Sequence, residues 1–191
     1  MRIVSGRLKG MRLSSPSGGL IRPTTGNVRE AVFNILGQDL SGLDFIDLCC
    51  GTGAMGLEAA SRGANTILFV ERDRKVAQIL RDNIQVAAKR INQDDLKTKI
   101  YEESFEVFLR RGYQASLIYF DPPYDYFYSK DWADKPYSKI VKPGGLFLME
   151  HPKREPRQIP ETLDGLHLRK TRKYGKSSLS IFEHIEDVHQ E

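Results

Sequence analysis

A glycine-rich loop between an apolar strand and a helix most constrains the fold of this chain. An apolar run over 45–50 leads into Gly51-Thr-Gly-Ala-Met-Gly56, and residues 54–62 have a helical pattern. Glycines allow a tight turn and let a ligand approach the backbone without interference from a Cβ atom. The G-x-G-x-x-G pattern at such a strand-to-helix turn predicts a site for a nucleoside cofactor.

Strand and helix patterns alternate along the chain from Asp44. This order predicts the α/β class, with a doubly wound, mostly parallel sheet of seven strands. Two alternating segments on either side of the turn at 174–177 complete the sheet as a C-terminal antiparallel hairpin. Strands before the hairpin are predicted at 44–49, 66–70, 98–101, 115–120 and 145–149, and helices at 54–62, 73–90, 104–111 and 129–140.

Residues 1–26 are predicted to be an appendage of a single domain spanning all 191 residues. Alternation around Gly6 and Gly10 predicts a basic β-hairpin, and a loop rich in Ser, Pro and Gly follows it. Asn27 and Glu30 have the spacing of a capping box, so an amphipathic helix is predicted over 27–38.

Composition favours a reduced, cytoplasmic protein. The apolar content of 40% supports a buried core, and no apolar run approaches the ~18 residues of a membrane span. The N-terminus lacks the apolar stretch of a signal peptide. Cys49 and Cys50 are adjacent, which disfavours a disulfide or a zinc site. No metal is predicted, and the histidines are expected on the surface or on edge strands: His151, His167, His184 and His189.

Two segments carry the positive charge of a chain whose net charge is +4. Residues 1–29 and 169–176 together contain eleven Lys and Arg residues and no acid, so the rest of the chain is net acidic. This distribution predicts a surface that binds a polyanion, although two solvated basic segments would give the same pattern. The expected contacts to a nucleic-acid backbone are Arg2, Arg7, Lys9, Arg12, Arg22, Lys173 and Lys176.

Two carboxylates near the glycine loop support a cofactor site, and the one inside the strand favours S-adenosylmethionine over a dinucleotide, as does the segment that begins at Asp121. Glu71 closes the second predicted strand, 20 residues after Gly51, where it could accept the hydroxyls of a ribose. Asp47 lies inside the first strand, and a buried acid suits a cationic cofactor better than an anionic pyrophosphate. A purely structural carboxylate remains an alternative for Asp47.

An Asp121-Pro-Pro-Tyr124 segment follows the apolar strand at 115–120. Two prolines prevent further strand or helix there, which leaves a rigid, extended chain. The carboxylate and free carbonyls could accept from an amino group on a flat ring, while the tyrosine stacks on the ring. Because ligands bind beyond the carboxyl ends of strands in such sheets, the glycine loop and Asp121 are expected to face one crevice. The alternative is a simple turn with a solvated Asp.

With both motifs, the chain resembles the class I S-adenosylmethionine-dependent methyltransferases that modify exocyclic amines. More narrowly, it is similar to the bacterial 16S ribosomal RNA guanine-N2 methyltransferase family. The similarity extends over nearly the whole chain and is specific in Arg2-Ile-Val-Ser-Gly, Arg22-Pro-Thr-Thr-Gly-Asn-Val-Arg-Glu, Asp47-Leu-Cys-Cys-Gly-Thr-Gly, Glu71-Arg-Asp and Asp121-Pro-Pro-Tyr.

The resemblance implies a role for each motif residue. Asp121 and Tyr124 would hold the target guanine, with the Pro122 carbonyl as a second acceptor. The cofactor would contact Asp47, Gly51 and Gly53 at its methionine end, Glu71 and Arg72 at the ribose, and Ser104 at the place where family members commonly have Asp or Asn near the adenine. Thr24 and Thr25 would close the pocket or simply cap the next helix. Ribosomal RNA, within the 30S subunit or an assembly intermediate, is the implied partner.

Three other functions, and two roles for one aromatic cluster, remain as alternatives. A DNA adenine-N6 methyltransferase uses a similar acid-or-amide-Pro-Pro-aromatic motif, typically with Asn and with a separate recognition domain. A non-catalytic RNA-binding module could keep the same fold. An NAD(P)-dependent dehydrogenase would need a substrate acid or base that is not evident here. Trp132 and the aromatic run 126–128 could stack on a base or cover the 129–140 helix.

Overall fold

The computed structural model describes residues 1–16, 26–91, 96–153 and 158–185, with the side chains of 26 and 27 excepted. The chain packs as two compact units, Met1–Phe108 and Leu109–Glu191. Strands in the described residues number eight, not seven. They are β1 Asp44–Leu48, β2 Thr66–Val70, β3 Lys97–Tyr101, β4 Ala115–Phe120, β5 Val141–Pro152, β6 Thr162–Leu163, β7 Leu166–Tyr174 and β8 Ser177–Glu183.

The first unit contains three parallel strands in the order β3-β2-β1. Phe45 lies opposite Ile67, and Ile67 lies opposite Thr98. Its α-helices are α1 Gly26–Leu36, α2 Ala54–Ser61, α3 Arg74–Ala88 and α4 Phe105–Phe108. The parallel α/β arrangement predicted from the sequence is confirmed in this unit.

Local chemistry sets the helix ends in this unit. The Asp73 carboxylate caps α3 by accepting from the backbone N–H groups of Lys75 and Val76 at 2.8 and 3.2 Å. Helix α1 begins at Gly26, one residue before the predicted start, and the Asn27 side chain of the predicted capping box lies outside the described part of the chain. The helix ends before Gly37, whose φ of 99° favours glycine and stops the helix. The predicted helix over 104–111 is reduced to the single turn of α4.

The N-terminal segment, residues 1–16, forms the predicted hairpin only as a minimal antiparallel pairing. One bridge joins Arg2 and Arg12, and the N–H groups of Ile3 and Leu13 donate to the carbonyls of Met11 and Met1, both at 3.0 Å. Between them the backbone N–H groups of Val4 and Ser5 donate to the Glu58 carboxylate, and that of Leu8 donates to Ser61 Oγ. Because these donors are used on α2, they cannot form a strand ladder. Apolar side chains of the segment are buried: Ile3, Leu8, Met11 and Leu13.

The second unit begins with parallel β4 and β5 and continues with antiparallel β8, β7 and β6. The predicted C-terminal hairpin is confirmed: Tyr174 pairs with Ser177 across the turn. Strand β6 is the strand the prediction lacked. Strand β5 is also longer than predicted because β8 pairs with it from Leu146 to Pro152.

The helix predicted over 129–140 is absent. Short 3-10 helices cover Tyr124–Tyr128, Trp132–Asp134 and Tyr137–Ile140 instead. Pro136 separates the last two because it has no N–H to donate and restricts the residue before it. Their aromatic rings fill the core of this unit, with Phe127, Trp132 and Tyr137 all at 2% exposure or less.

Buried His151 contradicts the prediction that the histidines lie at the surface or on edge strands. It lies on β5, which pairs on both sides, and its side chain is fully buried. Its Nε2 and the Ser180 hydroxyl are 2.8 Å apart, and Phe127 packs edge-on against the ring. His167 and His184 lie on or beside the terminal hairpin, while His189 is outside the described residues.

Candidate active site

The glycine loop has the left-handed backbone that its sequence predicts. It joins β1 to α2, and φ is 54° at Gly51 and 82° at Gly53. A Cβ atom on Gly53 would lie 2.3 Å from Leu80 Cδ1, so packing as well as conformation requires glycine there. Gly56, in the first turn of α2, lets the helix approach β2, because a Cβ would lie 2.3 Å from Phe69 Cε1.

Glu71 lies at the carboxyl end of β2 and is tied to the glycine loop. One carboxylate oxygen accepts from the Gly51 N–H at 3.0 Å, and the other accepts from the Asp73 N–H at 2.9 Å. These bonds hold the carboxylate in one orientation. Each oxygen has a second lone pair, so the group could still accept from the two hydroxyls of a ribose.

Asp47 is buried, as predicted, with 2% of its surface exposed. Its Oδ2 accepts from the Gly56 N–H at 2.8 Å. The pKa of Asp47 is raised to about 8, mainly because the carboxyl is buried; the hydrogen bond from Gly56 lowers this pKa and the nearby Glu71 charge raises it. A cation beside this carboxyl would favour its charged form.

The acidic side chains at the loop fit a cationic nucleoside cofactor. Two acidic side chains flank the turn, and Glu71 occupies the strand end where a ribose is bound in related α/β sites. A pyrophosphate would meet like charge there. Arg72 is exposed beside Glu71, and Ser104 is half-buried directly before α4, where its carbonyl accepts from Val107 and Phe108 at 3.1 Å.

The first unit also has a cavity of about 860 Å³, and the glycine loop does not line it. Its lining includes Ser41, Asn65 and Lys97, which lie at or before the amino ends of β1, β2 and β3. Ligands of open α/β sheets bind beyond the carboxyl ends of the strands. This cavity therefore does not coincide with the glycine loop that is predicted to hold the cofactor.

The Asp121-Pro-Pro-Tyr124 segment follows β4 in the second unit, as predicted. Asp121 is half-buried and Pro122 is buried. Pro123 has an extended backbone, φ −52° and ψ 142°, and its carbonyl accepts from the Tyr126 N–H at 2.9 Å to start a 3-10 helix. Strand, extended corner and 3-10 turn thus succeed one another within a few residues.

The C-terminal hairpin positions Tyr124. The Tyr124 and Ser177 hydroxyls are 2.9 Å apart, and Ser177 begins β8 directly after Lys176. The structure thus brings a predicted RNA-binding lysine close to the predicted base-binding tyrosine. Along β7 the side chains of Arg169, Lys170, Arg172 and Lys173 are exposed, as is that of Lys176 in the turn.

Aromatic residues after the motif mostly form core. Phe127 and Trp132 are buried, and Tyr126 bonds the Tyr137 hydroxyl at 2.7 Å. Tyr128 differs, because 68% of its surface is exposed. Of this cluster, the structure leaves Tyr128 open for stacking on a base.

Four predicted RNA contacts of the N-terminal segment, Arg2, Arg7, Lys9 and Arg12, have exposed side chains. Arg22, Thr24 and Thr25 lie outside the described residues. Arg29 belongs to the basic sequence but is buried, with Nη2 donating to the Arg2 carbonyl at 2.9 Å and Nε 3.9 Å from Glu58.

Sequence reasoning missed Glu58 and Asn83. Glu58 is fully buried on α2, where it binds the N-terminal segment and accepts from the Arg62 guanidinium at 2.9 Å. The signal was a lone acid in the apolar helix Ala54–Ser61. The role of Asn83 could not be recognised in this way, because its spacing along α3 is simply that of a core residue.

Within the residues that the structure describes, no group of three or more His, Cys, Asp or Glu side chains could hold a metal ion. Neither Cys49 nor Cys50 forms a disulfide. No helix among the described residues is long and apolar enough to cross a membrane.

The chain is similar to known proteins over nearly its full length. A family model described as Conserved hypothetical protein 95 matches residues 1–183. YlbH of Bacillus subtilis is 29% identical over 193 residues, which cover 96% of this chain and 98% of YlbH. Ribosomal RNA small subunit methyltransferase D of Haemophilus influenzae is 30% identical over 175 residues, 84% of this chain and 83% of that protein.

Solved structures show the same fold. The Escherichia coli protein yhhF superimposes with a TM-score of 0.78 at 24% identity, covering 97% of this chain and 98% of that one. The doubly wound α/β fold predicted from the sequence is confirmed, with eight strands among the described residues in place of the seven predicted. The chain therefore belongs to the family described as Conserved hypothetical protein 95, and its resemblance to the S-adenosylmethionine-dependent methyltransferases, with S-adenosylmethionine as cofactor, is confirmed.

Proposed function

We propose that this methyltransferase modifies the exocyclic N2 amine of a guanine in small-subunit ribosomal RNA, free or within the 30S particle. Relatives named Ribosomal RNA small subunit methyltransferase D support ribosomal RNA as the substrate. The observation that carries the choice of an exocyclic amine is Asp121-Pro-Pro-Tyr124, a rigid corner at the end of β4 with a carboxylate and a ring.

Cofactor binding belongs to the glycine loop in this proposal. Asp47, Gly51 and Gly53 hold the methionine end, Glu71 with Arg72 binds the ribose, and Ser104 lies toward the adenine. The two acidic side chains would offset the positive charge of the ligand. When bound, S-adenosylmethionine would supply a reactive methyl group, because the bond from this methyl group to the sulfonium sulfur breaks to release a neutral thioether.

Base activation belongs to the Asp121 segment. The lone pair of a guanine amine is delocalised into the ring, so the amine is a weak nucleophile. Asp121 and the Pro122 carbonyl accept its two N–H groups, which localises the lone pair and fixes its direction. Near-attack alignment of this kind can be worth ~7–11 kcal/mol, and the Asp121 charge adds to it.

Tyr124 stacks on the face of the base. Its ring is positioned by the hydroxyl contact to Ser177, which restricts the side chain without using the ring face. The target base must be unpaired or turned out of its stack to reach such a site. Lys173, Lys176 and the arginines of the N-terminal segment would contact the flanking phosphates.

Single substitutions test the division of roles. Asp121→Ala should lower turnover by about 10²–10³-fold, as loss of one aligned polar group does, with little change in cofactor affinity. Glu71→Ala should weaken cofactor binding about 10-fold or more by removing ribose contacts and the Gly51 bond, and the lost turnover should return at saturating cofactor.

Calorimetry with S-adenosylhomocysteine and single-turnover kinetics measure these two quantities. Asp125→Ala is the matched control, because Asp125 is an exposed carboxylate in the adjoining 3-10 helix. Equal loss of affinity and turnover in Asp121→Ala would contradict the proposed role of Asp121.

Labelled S-adenosylmethionine, offered with naked 16S rRNA, assembled 30S particles and duplex DNA, tests the substrate. We expect label in rRNA or in 30S particles, and mass spectrometry of the digested RNA should find N2-methylguanine. Label in DNA alone would support the adenine-N6 alternative and contradict the proposal. Absence of label in all three would support a non-catalytic RNA-binding module.

A further inference from the structure

Asn83 connects the N-terminal segment to the glycine loop. It lies on α3 with 2% of its surface exposed. Its Nδ2 donates to the Thr52 carbonyl at 3.0 Å and to the Ser14 carbonyl at 3.1 Å, and its Oδ1 accepts from the Ser14 N–H at 2.8 Å. Both amide hydrogens are therefore used, on two segments that are distant in sequence.

Both partners of Asn83 belong to functional segments. Thr52 lies between Gly51 and Gly53 in the loop assigned to the cofactor, and it is 6% exposed. Ser14 lies near the end of the N-terminal segment, which bears exposed Arg2, Arg7, Lys9 and Arg12. By pairing with both the N–H and the C=O of Ser14, Asn83 fixes that backbone as a neighbouring strand would.

A glycine loop needs such an external support. Glycines leave its backbone more conformations than other residues would, so a binding conformation must be held by contacts from outside the loop. The Thr52 carbonyl accepts a hydrogen bond from Asn83, and the Gly51 N–H donates one to Glu71. These two bonds hold the loop on two sides. Removing one donor would leave a buried carbonyl unsatisfied and let the loop relax.

We propose that Asn83 is a positioning residue through which the N-terminal segment holds the glycine loop in its cofactor-binding conformation. RNA bound to the arginines of the segment and cofactor bound in the loop then strengthen each other by the same factor. The RNA half of this inference rests on the proposed function, whereas the effect of Asn83 on cofactor affinity does not.

The N-terminal segment is also attached to α2, so a substitution at Asn83 tests the contact with the glycine loop selectively. Glu58 and Ser61 of α2 bind the backbone of Val4, Ser5 and Leu8 independently of Asn83. A substitution at Asn83 should therefore leave the segment attached while releasing Ser14 and Thr52. Asn83→Asp suits this purpose, because it keeps the shape and the acceptor for Ser14 but has one O–H donor at most, and none when ionised, so it cannot donate to both carbonyls.

Calorimetric titration with S-adenosylhomocysteine gives the first readout. Asn83→Asp should raise its Kd about 10-fold or more, the effect expected when a buried hydrogen bond is lost. Ser14→Pro removes the Ser14 N–H from the other side and should raise the Kd as well. The double variant should be no weaker than Asn83→Asp alone, since both act through one contact. Gln85→Ala, exposed on the same helix, is the control.

The same titration in the presence of a 16S rRNA transcript gives the second readout. Wild type should bind S-adenosylhomocysteine more tightly with the RNA than without it, and the ratio should approach one in Asn83→Asp. Asn83→Gln, which keeps both kinds of amide group on a longer side chain, should recover part of the coupling.

An unchanged Kd in a folded Asn83→Asp protein would overturn the inference. So would a lower melting temperature with unchanged Kd, because that result describes a purely structural residue. Absence of any RNA effect on the wild-type Kd would overturn the coupling. If the variants show the expected Kd shifts but the wild-type protein methylates no rRNA, the proposed substrate is wrong and the role of Asn83 in cofactor binding is supported.

Discussion

Asp47 carries a carboxyl group whose protonation depends on what binds beside it. In the free protein burial raises its pKa to about 8, against an ordinary 3.8. The folded state therefore retains a proton between about pH 4 and pH 8 that the unfolded chain has lost. Since the folded state binds more protons there, stability decreases as pH rises through this window and levels off above it.

Asp47→Asn should remove this dependence. The amide is neutral at every pH and keeps an oxygen to accept from Gly56. The variant should be more stable than wild type at pH 8 by on the order of 1–3 kcal/mol, and similar to wild type near pH 4. Urea unfolding at several pH values measures this, and a parallel profile for the two proteins would contradict the assignment of the shift to Asp47.

The same substitution should weaken cofactor binding, because a neutral amide offers no charge to a cationic ligand. A residue that lowers the stability of the free protein but strengthens the binding of a ligand is typical of functional sites. Stability gained together with affinity lost is the combined outcome that separates a binding carboxylate from a structural one.

At the scale of elements, helix α2 depends on the absence of a side chain at Gly56. Alanine normally stabilises a helix relative to glycine by about 0.5–1 kcal/mol. Here the added Cβ would lie 2.3 Å from Phe69 Cε1 and 2.9 Å from Ile67 Cγ2 on β2. The helix would have to move away from the sheet.

We expect Gly56→Ala to destabilise the protein by about 1–3 kcal/mol, as overpacking of a core does, in spite of its better helix propensity. Urea unfolding gives the free energy. Phe69→Leu alone and with Gly56→Ala provides the control, since a smaller ring-free side chain should recover part of the loss. A stabilised Gly56→Ala protein would show that the contact relaxes easily.

Helix α2 also explains why the N-terminal segment is more than a solvated tail. Buried Glu58 accepts from two backbone N–H groups of the segment and from Arg62. A buried carboxylate is tolerated when charge and hydrogen bonds satisfy it. The basic side chains of the segment are consequently presented from an anchored backbone.

At the scale of the whole molecule, positive charge is concentrated in residues 1–29 and 169–176, and the rest of the chain is net acidic. Binding to RNA through phosphates releases counterions, so affinity should fall steeply with salt. Lys173 and Lys176 are exposed at the tip of the terminal hairpin, where Ser177 contacts Tyr124.

Lys173→Ala and Lys176→Ala should each reduce the slope of log K against log salt by about 0.7–0.9, the value for one phosphate contact. RNA affinity measured by fluorescence anisotropy at several salt concentrations tests this. Lys139→Ala, an exposed lysine outside both basic segments, should leave the slope unchanged. If all three variants behave alike, the hairpin lysines are ordinary surface charges.

Several parts of this protein were determined by the sequence alone. The strand–glycine loop–helix order, the strand of Asp121 and the terminal hairpin were predictable, because alternation and glycine conformation act over a few neighbouring residues. The helix predicted over 129–140 failed for a local reason too: Pro136 interrupts it, and aromatic packing favours short 3-10 turns.

Other parts were decided only by tertiary structure. The N-terminal segment alternates like a hairpin, yet the N–H groups of Val4 and Leu8 donate to Glu58 and Ser61, more than fifty residues away. Asn83 has the spacing of a core residue, and its role depends on two carbonyls from separate segments. Such hydrogen bonds leave no periodic trace in the sequence, because the partner of a buried polar group is set by packing and not by its neighbours along the chain.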